Sequence, residues 1–136
     1  MAFPAVQVRA GARGVRCDLS TGGHAFVADE VAPLGTGAGP SPFDLLLSSL
    51  GACTAMTLRV YSDRKEWPLE GVQVDVSRDL AAAADGGTGQ DHVFRRTITL
   101  SGPLDAGQKQ KLLEIAGKCP VHRVLEKSLK IETTLA

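Results

Sequence analysis

Cys53 and Cys119 are the side chains with the most chemical capacity in this sequence. Cys119 lies in Lys118-Cys119-Pro120-Val121-His122-Arg123. Proline suits the first position of a helix, which makes Cys119 its N-cap. There, free amide N–H groups and nearby Lys118, His122 and Arg123 favour a thiolate, the form of cysteine that attacks and exchanges. Cys53 sits in the middle of an apolar stretch and has no such local help. A thiol buried there is inert unless the fold brings a cation to it, and the sequence offers Arg9, Arg13 and Arg16. Two small core residues remain the alternative for both positions, because buried free cysteine is common.

Other constellations are weaker. Cys119 and His122 could bind a metal with Cys53, Cys17 or His24, but structural zinc sites show paired ligand motifs and here there is one. No metal and no cofactor is expected. Cys17 reads as a strand residue without a role. Gly35 to Pro40 precedes a helix as a phosphate loop does, yet lacks the lysine and serine or threonine of that motif, so a flexible connector is expected. His24 and His92 read as isolated strand histidines, and no hydrolase nucleophile elbow is present.

The stretch that positions Cys53 runs from Ser41 to Lys65. Ser41 can cap it, Pro42 and Asp44 suit its first turn, and Arg64 and Lys65 suit its last. Leu46, Leu50, Cys53, Thr57 and Val60 recur at helical spacing, predicting a stripe that must be covered. Ser48, Ala52 and Ala55, flanked by Gly51, form a small face that lets another backbone approach. A central helix buried on both sides is expected, its apolar run too short to span a bilayer.

Before this helix, alternation predicts strands at Val6–Ala10, Val15–Leu19 and His24–Ala28, with glycine turns between them. After it come a strand from Val72 toward Leu80, a flexible tip at Asp85–Gly89 and a return strand His92–Leu100 that alternates through Phe94, Arg96, Ile98 and Leu100. A helix follows Asp105 and ends near Gly117, a short one spans Pro120–Lys127, and a last strand is expected at Leu129–Leu135. The order argues a single α+β domain over residues 1–136, with mostly antiparallel pairing.

Composition removes several classes. Fifteen basic and 15 acidic residues leave no basic footprint for nucleic acid, and four phenylalanines, one tyrosine and one tryptophan make a poor base-stacking surface. Three cysteines are too few and uneven for a secreted disulfide framework, and no signal peptide is evident. A reduced, cytoplasmic setting is expected, with no membrane partner.

Four segments carry a family resemblance: Ala28-Asp29-Glu30, Gly39 to Leu47, Leu50 to Thr57 with its Gly-Ala-Cys-Thr, and Lys118 to His122. Together they resemble the OsmC/Ohr family, osmotically inducible protein C and the organic hydroperoxide resistance proteins. The resemblance implies a strongly curved, mostly antiparallel sheet around long central helices in an intertwined homodimer. It implies a thiol peroxidase in which Cys53 attacks an organic hydroperoxide and Cys119 resolves the sulfenic acid as a disulfide. An external dithiol, lipoyl-protein in some family members, then reduces the disulfide. Phe43, Leu46, Leu50 and Met56 are the expected apolar pocket walls. The hydroperoxide-resistance branch also carries a first-hairpin arginine, for which Arg13 fits best and Arg16 second, and a glutamate after the helix-opening proline. Here Phe43 holds that position, and Asp44 is the acid available for the role. An OsmC-like dimer that binds a small ligand or senses redox state, without strong peroxidase activity, is the alternative.

Overall fold

The computed structural model describes residues 2–127 and 129–136. It divides into two compact units, Met1–Leu46 and Leu47–Ala136, with the boundary inside the long helix.

The first unit contains β1 (Gln7–Ala10), β2 (Cys17–Thr21) and β3 (His24–Ala28), an antiparallel sheet in that order. Cys17 pairs with Ala10 on one side and Ala28 on the other. β2 starts two residues later than its alternation suggests, because alternation marks a face and not the end of a turn. After β3 the chain is tied down rather than flexible. The Asp29 carboxylate accepts from the Glu30 amide at 2.8 Å, the Thr36 amide at 3.2 Å, the Thr36 hydroxyl at 2.9 Å and the Ala38 amide at 3.1 Å. These donors, with the Ala38 amide foremost, hold its pKa down at about 2. The loop amides that a phosphate would need are spent on Asp29. Gly35 is required because a Cβ there would collide with the Glu30 carbonyl.

Helix α1 (Pro42–Lys65) links the units. Ser41 and Asp44 close a reciprocal cap: the Asp44 amide donates to Ser41 Oγ at 3.1 Å, and the Ser41 amide donates to Asp44 Oδ2 at 3.0 Å. With 24 residues, α1 is long and apolar enough by length and composition to cross a membrane, contrary to the reading of its apolar run. The core helix of a soluble protein passes the same test.

In the second unit, α1 is followed by the hairpin β4 (Gly71–Ala82) and β5 (Gln90–Ser101), then α2 (Ala106–Ala116) and α3 (Pro120–Glu126). The buried line of α1 is Leu50, Thr54, Leu58 and Ser62, which shares Leu50 with the predicted stripe and then departs from it. Apolar type alone missed it because two of its four members are small polar residues. Leu58 joins Leu69, Leu104, Leu112, Ile115 and Ala116 in the core, with Tyr61 set edge-on to Trp67 at 5.5 Å. Gly51 lets β4 come close: a Cβ there would meet Val76 Cγ2 at 3.3 Å. Met56 and Val60 are exposed, so α1 is not covered on both sides within the described chain. Asp105 caps α2 through a capping box with Gln108. Residues 129–135 form no strand; alternation without a neighbouring strand to accept its hydrogen bonds does not make one.

Candidate thiol site

The residues that build the site come from four elements of the second unit. α1 supplies Cys53 and Thr54, β5 supplies Arg96, the end of α2 supplies the Ala116 carbonyl, and Cys119 and His122 lie at the start of α3. Cys119 is the N-cap its following proline predicts, with extended backbone angles, and its sulfur accepts from the His122 amide at 3.3 Å. It is completely buried. The Cys53 thiol lies close enough to help lower its pKa, and both cysteines are free rather than joined.

A connected set of polar groups lies behind Cys119. Arg96 Nη1 donates to Thr54 Oγ1 at 3.0 Å and to the Ala116 carbonyl at 3.2 Å. That carbonyl is an orphan acceptor at the C-terminus of α2, which the guanidinium satisfies. Arg96 Nη2 lies 2.9 Å from His122 Nδ1, and His122 Nε2 lies 2.8 Å from Glu126 Oε1. Arginine only donates, so Nδ1 accepts and the ring proton sits on Nε2, facing Glu126. The Thr54 hydroxyl has one proton and two acceptors, the Leu50 carbonyl at 2.7 Å and Cys119 Sγ at 3.8 Å. The shorter contact holds it while Cys119 is a neutral thiol.

The electrostatic result favours Cys119. Burial pushes its thiol up, but the His122 amide, the Cys53 thiol, the Thr54 hydroxyl and the Arg96 charge together bring it below its ordinary value. Cys53 looks outward instead. It lines a cavity of about 630 Å³ with Ala52, Met56, Val60, Arg64 and Lys118. A second cavity, of about 570 Å³, is lined by Leu50, Phe94, Arg96, His122 and His92 among others.

The expected residues are thus partly gathered. Met56 lines the Cys53 cavity, whereas Leu50 faces the second one because it belongs to the buried line of α1. Phe43 and Leu46 belong to the first unit and line neither. Arg13 is exposed in the β1–β2 connection, Arg16 pairs with Asp18 at 3.1 Å, and Asp44 is engaged in the α1 cap. Both ring nitrogens of His122 are engaged by Arg96 and Glu126, which leaves His122 without a free lone pair for a metal. Arg96 was not singled out from the sequence. The signal was present: an arginine on the inward, apolar side of an alternating strand, between Phe94 and Ile98.

A family model described as OsmC-like protein matches residues 35–134, which includes both cysteines and every polar group of the site. The chain belongs to the OsmC family. A search of curated proteins finds no sequence match. Among solved structures, an OsmC-like protein from Mycoplasma pneumoniae aligns with a TM-score of 0.76 at 17% identity, covering 92% of this chain and 88% of that one. An organic hydroperoxide resistance protein OsmC from Legionella pneumophila aligns at 0.67 and 19% identity, covering 92% and 90%. One from Elizabethkingia anophelis, an organic hydroperoxide resistance protein with thiocyanate bound, aligns at 0.65 and 16% identity, covering 91% and 88%. At these identities the alignments establish the OsmC-like fold, a mixture of α-helices and antiparallel sheets.

Proposed function

We propose that this OsmC-family protein is a cysteine-based hydroperoxide reductase. The observation that carries the reading is the thiol pair: Cys53 on an open, largely apolar cavity, close to a sealed Cys119 whose surroundings favour the thiolate. Cys53 as thiolate attacks the terminal oxygen of ROOH. The O–O bond breaks, the alkoxide takes a proton and leaves as alcohol, and Cys53 becomes a sulfenic acid. Cys119 then attacks the Cys53 sulfur and hydroxide leaves as water, giving an intramolecular disulfide. An external dithiol returns both thiols by exchange. The apolar walls around Cys53 favour alkyl or aryl hydroperoxides over hydrogen peroxide, and Arg64 and Lys118 in the same cavity are the cations available to its thiolate.

The names of the Legionella and Elizabethkingia proteins support the same chemistry. The family architecture that goes with it is an intertwined homodimer, strongly curved sheets around long central helices, working in the cytoplasm. Exposed Met56 and Val60 beside the cavity are suited to cover by a partner protomer. A non-peroxidatic reading, in which the protein binds a small ligand or senses redox state and the thiols are oxidised slowly or not at all, draws on the placement of Arg96 at Cys119 rather than at Cys53. Intact-mass measurement after one equivalent of cumene hydroperoxide separates the two. Rapid loss of two hydrogens supports the reductase, and an unchanged mass overturns it.

A further inference from the structure

Arg96, His122 and Glu126 form a chain that neither of the expected supporting residues, Arg13 and Asp44, belongs to. We infer that Arg96 is the positioning residue for Cys119: oriented by His122 and Glu126, it keeps Cys119 ready as the resolving nucleophile and as the leaving thiolate when the disulfide is reduced. The inference rests on the reductase reading and adds which residue governs the second half of the cycle.

Three observations converge on it. The guanidinium is fixed by three partners on two nitrogens, Thr54 Oγ1, the Ala116 carbonyl and His122 Nδ1, so its charge has one location. His122 is itself fixed, its Nε2 proton directed at Glu126. Thr54 Oγ1, bonded by Arg96, also lies within reach of Cys119 Sγ. When Cys119 loses its proton, the Thr54 hydroxyl can turn from the Leu50 carbonyl to the sulfur while still accepting from Arg96. Charge and hydrogen bond then act together on a sulfur that no water reaches.

The consequence for reduction follows from exchange chemistry, in which the more stable thiolate leaves faster. The external dithiol attacks the sulfur of Cys53, which faces the cavity. The S–S electron pair departs on Cys119, and the second thiol of the reductant then displaces Cys53. The reductant leaves as a disulfide and both cysteines are free.

The test has one arm that needs no peroxide. In protein carrying Cys17→Ser and Cys53→Ser, Cys119 is the only thiol, and its thiolate absorbance near 240 nm is titrated with pH. Arg96→Met moves this titration to higher pH, and Arg96→Lys restores part of the shift. In the three-cysteine protein, disulfide closure after one equivalent of cumene hydroperoxide slows roughly tenfold at neutral pH in Arg96→Met, and recovers as pH rises. An Arg96 role confined to folding would lower the melting temperature without moving the titration or the pH profile. An unmoved titration overturns the inference. A wild-type protein that never closes the disulfide overturns the reductase reading instead, while the titration still decides the role of Arg96. If Arg96→Met does not fold, His122→Leu removes the acceptor that orients the guanidinium and gives the same direction of change, about threefold in rate.

Discussion

Cys53 and Cys119 lie close together and yet occupy opposite kinds of surroundings. Cys53 projects from the middle of a helix into an open cavity with mostly apolar walls, and reaches solvent. Cys119 is sealed, but sealed among donors: an amide, a hydroxyl, a thiol and a guanidinium one step away. Burial in hydrocarbon disables a thiol, whereas burial among oriented donors sustains its charge without letting reagents in. The difference suits a division of labour in which one sulfur meets the substrate and the other waits. Asp29 supplies a third reference, because there the same device, an anion collected by amide donors, holds a loop shut.

The sharpest way to break this comparison is to remove one sulfur at a time. Cys53→Ser should abolish dithiol-dependent consumption of an organic hydroperoxide, measured over many turnovers. Cys119→Ser should permit one event per protein and then stop, leaving a sulfenic acid at Cys53 that dimedone traps. Full turnover in Cys53→Ser would reverse the assigned roles, and full turnover in Cys119→Ser would show that the sealed thiol is spectator structure.

How much of this was legible in the sequence depends on how local the physics is. Helix starts were, because caps are short-range: Ser41 before Pro42, Asp105 ahead of α2, and Cys119 before Pro120 all sit where residue type placed them. The order of elements through α3 was legible from alternation and turn residues, and the cysteine pair from residue type, whereas the separate roles of the two thiols came only with the family resemblance. The cation was not. Arg96 lies 23 residues from Cys119 in sequence and acts on it only because the fold brings its guanidinium to Thr54 on α1 and to the Ala116 carbonyl at the end of α2, a tertiary fact. Its one local trace, a charge on the apolar side of a strand, reads equally as a break in the pattern. The Gly35–Pro40 loop misled for a related reason. Its glycines look like flexibility, but the residue that immobilises it, Asp29, lies upstream in the chain and carries no mark of the role.

Asp29 tests whether its clamp is indeed electrostatic. Its carboxyl is held below the usual 3.8 to about 2, so the folded protein binds the proton less readily than the unfolded chain does. The stabilisation is therefore complete above the unfolded value and is lost as pH falls from there through about 2. Amide exchange at Thr36 and Ala38 should keep its protection at pH 5 and lose it in that acid window. Asp29→Asn, which removes the charge and can keep an oxygen at only one of the two carboxylate positions, should weaken the protection of both amides at neutral pH. Protection that survives in the variant would make the clamp a matter of shape alone.

The finest test compares two hydroxyls on the buried line of α1. Thr54 and Ser62 are eight residues apart, and both are fully buried. The Thr54 hydroxyl accepts from Arg96 and donates to the Leu50 carbonyl, whereas Ser62 Oγ has no hydrogen-bond partner among the described residues. Thr54→Val keeps the shape and strands an arginine donor, which should cost about 1–3 kcal/mol and slow disulfide closure. Ser62→Ala removes a polar atom whose desolvation nothing offsets, and should raise stability by roughly 1 kcal/mol with no effect on closure. Denaturant melts read the first quantity and single-turnover mass spectrometry the second. If both substitutions destabilise equally, the Ser62 hydroxyl is satisfied by a buried water; if both leave closure unchanged, Thr54 belongs to the scaffold and Arg96 reaches Cys119 by charge alone.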